Sequence, residues 1–454
     1  MAGEKRRLVS LLGCALLALS LTVAHASPGS GSGGDDDFDQ SDWDNSGSGD
    51  DDPPDWDDDA DDDNDHDHDH DRKDHDDGDD DRRDRGRHGG GEDHDRRDRA
   101  AHASANEGHD RDITLFEVEY DELGDPYVAG QVLLSGSRAD IAAAGRLGFE
   151  VLETTYFRSL DARLARLRIP RGSPASTAIA RLREAAPGAV IARNTIYRQS
   201  QSFVEARPAR NTSTPWRFRP GTLVGVIDTG VDAAKLPQGA LAQQRGFVGT
   251  RPTARDHGLA VATIASERGA RVQVADVFGQ STDGALAASA SSILAALDWM
   301  IENDIAVINI SVEGPNNPLI AQTVRHAASR GHIVIAAAGN GGPVARPAFP
   351  AAFDGVVAVT AIDENGRPYL RANRGQYIDF AAEGVNVAVA TPDESFVVSG
   401  TSFAAPRIAA AFAQHLQRPS PRGAVTALAA MRRRAEDLGD PGHDAIYGWG
   451  AIRD

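Results

Sequence analysis

Leu223-Val224-Gly225-Val226-Ile227-Asp228-Thr229-Gly230 is a short apolar run that ends abruptly in a polar turn. Its length and β-branched content suit a buried parallel strand, and three similar runs follow: Val272–Val277, Val307–Ile310 and Ile333–Ala337. Helical patterns lie between them, notably Ala290–Asn303 and Leu319–Arg330. Strands alternating with helices predict an α/β fold, a parallel sheet with helices on both faces. In such sheets function collects at the carboxyl ends of the strands. Asp228 stands at such an end.

Three further motifs occupy equivalent places. Asp256-His257-Gly258 precedes a helical run, Leu259–Ala265. Ala337-Ala338-Gly339-Asn340-Gly341-Gly342 puts an asparagine on a glycine-rich turn after a strand. Gly400-Thr401-Ser402-Phe403-Ala404-Ala405-Pro406 puts a serine at a helix start among small residues. Singly each is common, since a strand-end Asp is often a turn former and a lone His is often structural. In the order Asp, His, Asn, Ser they resemble the subtilisin-type (subtilase) serine proteases. The resemblance runs from Leu223 to Asp454 and includes Asn309-Ile310-Ser311 and Tyr447-Gly448-Trp449-Gly450. It implies that Ser402 is a nucleophile, His257 its general base and acid, and Asp228 the group that orients His257. Asn340 and the Ser402 N–H would form an oxyanion hole. Ser311, Val312, Glu313 and Gly314 would pair with substrate backbone, and Ala337, Ala338 and Gly339 would line the opposite wall of the specificity pocket. The partner so implied is a protein or peptide substrate.

The departures from the family pattern are local. Leu259-Ala260-Val261-Ala262-Thr263 stands where the family usually has Thr-His-Val-Ala-Gly. Glu267-Arg268-Gly269-Ala270 alone separates that helix from the next strand, leaving no room for the family's calcium loop. The reading therefore needs no cofactor or metal and leaves calcium open. Glu313 stands where the family commonly has glycine; its carboxylate either reaches the pocket rim, where it would favour basic substrate side chains, or faces outward as a solvated charge.

Upstream, a compact pattern runs from 113 to 198. Gln131–Leu134 reads as a strand, Ser137 caps a helix over Ala139–Leu147, and Gly148 ends it. Phe149–Tyr156 and Leu164–Ile169 are strand-like, Ser176 caps a second helix carrying Ile179 and Leu182, and Ala189–Ala192 closes the unit. The order β-α-β-β-α-β predicts a small ferredoxin-like α+β module. It resembles, less specifically, the inhibitory and chaperone-like propeptide of the family. Residues 199–215 read as a polar linker with a processing site, and 216–454 as the catalytic domain.

The 454-residue chain carries a formal charge of −21, concentrated in one block. Residues 31–112 hold 34 acidic and 10 basic side chains, and the rest of the chain is nearly balanced. With no basic patch there, nucleic acid is not an expected partner. Residues 27–112, rich in Asp, His, Arg and Gly, cannot bury enough apolar area to offset ordering entropy and are expected to be disordered. Their run Asp65-His66-Asp67-His68-Asp69-His70-Asp71 has donors for cations. Residues 1–26 read as a signal peptide: Lys5-Arg6-Arg7, an apolar run from Leu8 to Val23, then Ala24-His25-Ala26. Cleavage there would remove Cys14, the one cysteine, together with the one span-like segment. A secreted, periplasmic or surface location follows. The competing expectation is a catalytically silent exported protein that uses the acidic arm to bind cations or a surface.

Overall fold

The computed structural model describes residues 115–199, 203–206, 221–249, 251–392 and 395–453. The expected signal peptide, the acidic segment and most of the 199–215 linker lie outside the described residues, as do residues 216–220.

The first unit opens with two short strands, β1 (Leu115–Phe116) and β2 (Val118–Tyr120). Then come β3 (Pro126–Gly136), α1 (Arg138–Arg146), β4 (Glu150–Phe157), β5 (Ala162–Arg168), α2 (Ala175–Ala185) and β6 (Val190–Gln199). The four long strands are antiparallel in the order β6-β3-β5-β4, the ferredoxin-like arrangement that the β-α-β-β-α-β pattern predicts. Alternate residues Val132, Leu134, Ala165, Leu167 and Ile191 face Ala144, Ile179 and Leu182 of the two helices. Ser137 caps α1 in a full capping box with Asp140. Ser176 does not cap α2. The helix starts at Ala175, two residues earlier, after Pro174 and without a side-chain cap. The last strand is far longer than Ala189–Ala192 predicts, and its excess length leaves the module altogether.

Next come β7 (Phe203–Ala206), β8 (Leu223–Asp228), β9 (Leu241–Gly246), α3 (Asp256–Ser266) and β10 (Arg271–Asp276). They are followed by β11 (Phe278–Ser281), β12 (Leu286–Ser289), α4 (Ala290–Glu302), β13 (Val307–Ile310), β14 (Val312–Glu313), α5 (Pro318–Ser329) and β15 (Ile333–Ala337). The chain ends with β16 (Val356–Ile362), β17 (Ile378–Glu383), β18 (Val387–Ala390), β19 (Ser395–Ser399), α6 (Thr401–Ala413) and α7 (Pro421–Arg434).

Seven strands form a fully parallel sheet in the order β17-β16-β15-β13-β8-β10-β9. Strand alternation divides its side chains between two cores. Val224, Val226, Ile333 and Ile335 pack on α3 and α6, whereas Ile227, Ile308, Val334 and Ala336 pack on α4 and α5. From β8 the chain runs to the edge at β9, returns as β10 between the two, then crosses to β13 and builds the other way. The switch point lies between β8 and β13, where a crevice opens at the carboxyl ends. The expected linker is not featureless, because β7 pairs antiparallel with β19 through Phe203↔Ser399 and Ala206↔Phe396.

Among the described residues, no helix is long and apolar enough to cross a membrane, and no group of three or more His, Cys, Asp or Glu is placed to hold a metal ion. The turn Glu267–Ala270 closes tightly, with Gly269 at φ +77°. The Glu267 carboxylate is 2.9 Å from Arg407 of α6. That turn does not fit a calcium ion.

Candidate active site

Asp228 ends β8 with no exposed surface, and its carboxylate accepts the Thr229 N–H at 2.7 Å. His257 is the second residue of α3. Its Nδ1 lies 2.9 and 3.0 Å from the two Asp228 oxygens, and its Nε2 lies 3.1 Å from Ser402 Oγ. Gly258 permits this approach. A Cβ there would fall 2.5 Å from Thr229 O and Oγ1, and its N–H instead donates to Thr229 Oγ1. The ring of Phe403 covers the imidazole at 5.2 Å between centroids. Asp, His and Ser therefore form one continuous hydrogen-bonded row, although 29 and 145 residues separate them in sequence.

Ser402 is fully buried in the first turn of α6. Pro406 sits inside that helix and has no N–H to return to the carbonyl four residues earlier. That carbonyl belongs to Ser402 and accepts the Ser311 hydroxyl at 3.2 Å, while Asn309 Nδ2 donates to Ser311 Oγ at 2.8 Å. The side chain of Ser311 thus braces the serine helix from within the core rather than lining the pocket.

Asn340 lies across from Ser402. Its Oδ1 accepts both the N–H and the Oγ1–H of Thr401, at 3.1 and 3.0 Å. Because Thr401 N can only donate, the amide orientation is fixed. Its Nδ2 is left buried without a partner among the described residues. An orphaned buried donor of this kind costs about 1–3 kcal/mol. Side-chain oxygens from three elements hold the loop around it. Thr401 Oγ1 accepts from Gly339 N, Glu313 Oε2 from Asn340 N at 3.0 Å, and Asn373 Oδ1 from Gly341 N at 2.8 Å. Gly339 itself has φ +103°, and a Cβ there would collide with Asn373, Ala348 and Glu313.

The crevice is filled by the chain itself. Val312 and Glu313 of β14 pair antiparallel with Gln199 and Arg198 of β6. On its other edge β6 pairs with β12, Tyr197↔Ala288 and Ile196↔Ser289. The Tyr197 ring is fully buried against Gly314, where a Cβ would lie 2.5 Å from it, and its hydroxyl donates to Pro315 O at 2.7 Å. Ala337 and Ala338 are buried behind Gly339. A cavity of about 350 Å³ lies elsewhere, lined by residues such as Gln131, Asn194, Phe247 and Ser291, and no triad residue borders it.

Residues 219–450 match the Subtilase family. The chain belongs to the subtilase family. Subtilisin Savinase from Lederbergia lenta is 31% identical over 248 residues, 51% of this chain and 88% of that protein. Minor extracellular protease Epr of Bacillus subtilis is 31% identical over 44% of this chain, which spans 30% of Epr. Fervidolysin from Fervidobacterium pennivorans, described as a keratinolytic enzyme related to subtilisin, shares the fold. Its TM-score is 0.60 at 17% identity, over 75% of this chain and 62% of fervidolysin.

Within the subtilase fold, Asp228, His257, Ser402 and Asn340 converge as their strand-end positions predict. Thr401, Asn373 and the β12 edge strand were missed. Thr401 was visible only as the neighbour of Ser402. Asn373 and β12 carry no local signal, since a lone amide and a short Ala-rich stretch have many uses.

Proposed function

We propose that the chain is an exported serine endopeptidase, made as a self-processing zymogen, that hydrolyses peptide bonds through an acyl-enzyme. Ser402 Oγ attacks the scissile carbonyl. His257 Nε2 takes the hydroxyl proton and returns it to the leaving amine. Asp228 holds the tautomer with hydrogen on Nδ1 and stabilises the imidazolium. The negative charge on the tetrahedral oxygen falls to Asn340 Nδ2 and the Ser402 N–H at the start of α6, where the helix dipole adds to the field. Water then hydrolyses the ester by the same route in reverse. The observation that carries this reading is the orphaned Asn340 amide beside an unbroken Asp228–His257–Ser402 row.

Residues 113–198 act as the intramolecular inhibitor. Supporting this, the end of β6 lies between β12 and β14 as an added strand, the way an extended substrate binds by β-augmentation. The docking is extensive. Asn317 Nδ2 donates to Arg193 O and Thr195 Oγ1, and Asp298 accepts the Ser159 N–H and hydroxyl. Arg346 pairs with Asp125 at 2.7 Å. The chain leaves β14 at Gln199 and resumes beside β19 at Phe203, three residues short of Ser402 in the register of β19. These pairings support a maturation cut between those two residues, at the start of the 199–215 linker. Residues 1–26 direct export, and the acidic arm precedes the module.

The test is intact mass and fluorophosphonate labelling of wild type beside Ser402→Ala. Cleavage near residue 200 with one label in wild type, and neither in the variant, is the expected result. Two full-length, folded and unlabelled proteins would return the chain to the silent binding reading.

A further inference from the structure

We propose that Glu313 makes the primary specificity pocket select substrates with Lys or Arg immediately before the scissile bond. The inference rests on the protease reading above. Glu313 is in register with Arg198 across the β14–β6 ladder, yet its carboxylate does not turn outward to solvent. It crosses the slot between the edge strand and the opposite wall, where Oε2 accepts the Asn340 N–H at 3.0 Å. The same oxygen would lie 2.9 Å from a Cβ on Gly339, beside the Ala348 methyl and the Asn373 amide. Tyr377, whose hydroxyl donates to Ala338 O at 2.9 Å, is near enough to feel the charge.

A side chain entering between the two walls therefore meets a carboxylate as well as small apolar surfaces. A carboxylate offers about four lone-pair sites, of which the Asn340 N–H takes one. An incoming ammonium or guanidinium gains a charge-assisted bond there. A phenyl or isobutyl group would instead strip water from a charge without compensating it. The family's usual glycine at this place offers no such choice.

The experiment uses internally quenched peptides identical except for Arg, Lys, Phe, Leu or Ala before the scissile bond, cut by the processed wild type. The expected kcat/KM for Arg or Lys is at least about tenfold above Phe. Glu313→Gln keeps an oxygen for Asn340 N–H but removes the charge, and should bring the Arg-to-Phe ratio near unity. Benzamidine, a free cationic probe, should compete with the Phe peptide in wild type, which tests the pocket even if the variant does not fold. Equal Arg and Phe cleavage in wild type overturns the proposal, as does an unchanged ratio in Glu313→Gln. A strong preference for Ala, relieved in Glu313→Gly, also overturns it, because the carboxylate would then merely close the slot. If wild type cuts no peptide and takes no fluorophosphonate label at Ser402, the protease reading itself fails.

Discussion

At the residue scale, the Asn340 amide separates turnover from stability. Replacing Asn340 by Asp keeps the oxygen that holds Thr401 but replaces the orphaned donor with charge. Turnover should fall by at least about 10²–10³, the loss seen on removing the equivalent donor in subtilisin, with the protein still folded. Peptide kinetics and a thermal melt of the same sample check this. Asp276 offers a second residue-scale prediction. It is buried, pairs in register with Asp228, and accepts the N–H groups of Thr253 and Phe278. Burial dominates over these bonds and pushes its pKa up to about 6. Between the ordinary carboxyl value and about 6, the folded chain holds a proton that the unfolded chain has lost. Stability contributed at this site should therefore fall as pH rises from about 4 to about 6 and then level off. Urea midpoints for Ser402→Ala, with and without Asp276→Asn, should diverge across that window and run parallel above it.

At the element scale, α6 carries Ser402, the proposed nucleophile, although a proline interrupts its ladder. Removing the brace with Ser311→Ala should cost about 1–3 kcal/mol, because the Ser402 carbonyl then loses the partner that Pro406 cannot supply. Adding Pro406→Ala should recover part of that loss, since the new N–H reaches the same carbonyl. A double-mutant cycle in denaturant reads the coupling. The α6–α3 contact behaves differently. Arg407 and Glu267 are partly buried together, and Arg268 also faces the carboxylate, so Arg407→Leu removes one of two charge partners and should destabilise by about 1–3 kcal/mol. Replacing both partners with apolar residues should lose far less.

At the scale of the whole molecule, module and catalytic unit share one apolar core. Leu133, Phe157, Leu164 and Tyr197 pack with Ala288, Ile293, Leu297 and Ile320. Tyr197→Ala empties a fully enclosed site and should weaken the docking by about 3–5 kcal/mol. After refolding, substrate hydrolysis should then appear with a shorter lag than in wild type. An unchanged lag would count against the proposed inhibitory role of this contact. On the proposed reading the module is also expected to assist folding of the large parallel sheet, since non-local pairings must close long loops before they stabilise anything. Refolding without residues 113–198 should be slower, measured by recovery of fluorophosphonate labelling.

The sequence by itself determined the parallel α/β sheet, the ferredoxin-like order of the module and the four strand-end or helix-start residues. These depend on local periodicity and on turns with few alternatives, as in Leu223–Gly230 and Gly400–Pro406. It also raised Glu313 as a departure, but not the direction its carboxylate takes. Tertiary structure alone decided that direction, the brace from Ser311 to the Ser402 carbonyl, and the role of Asn373. It alone extended β6 beyond Ala192 into the crevice, because an edge strand is completed by whatever chain pairs with it. Each of these rests on backbone groups that find partners far away in sequence, and such pairings leave no trace in the local pattern.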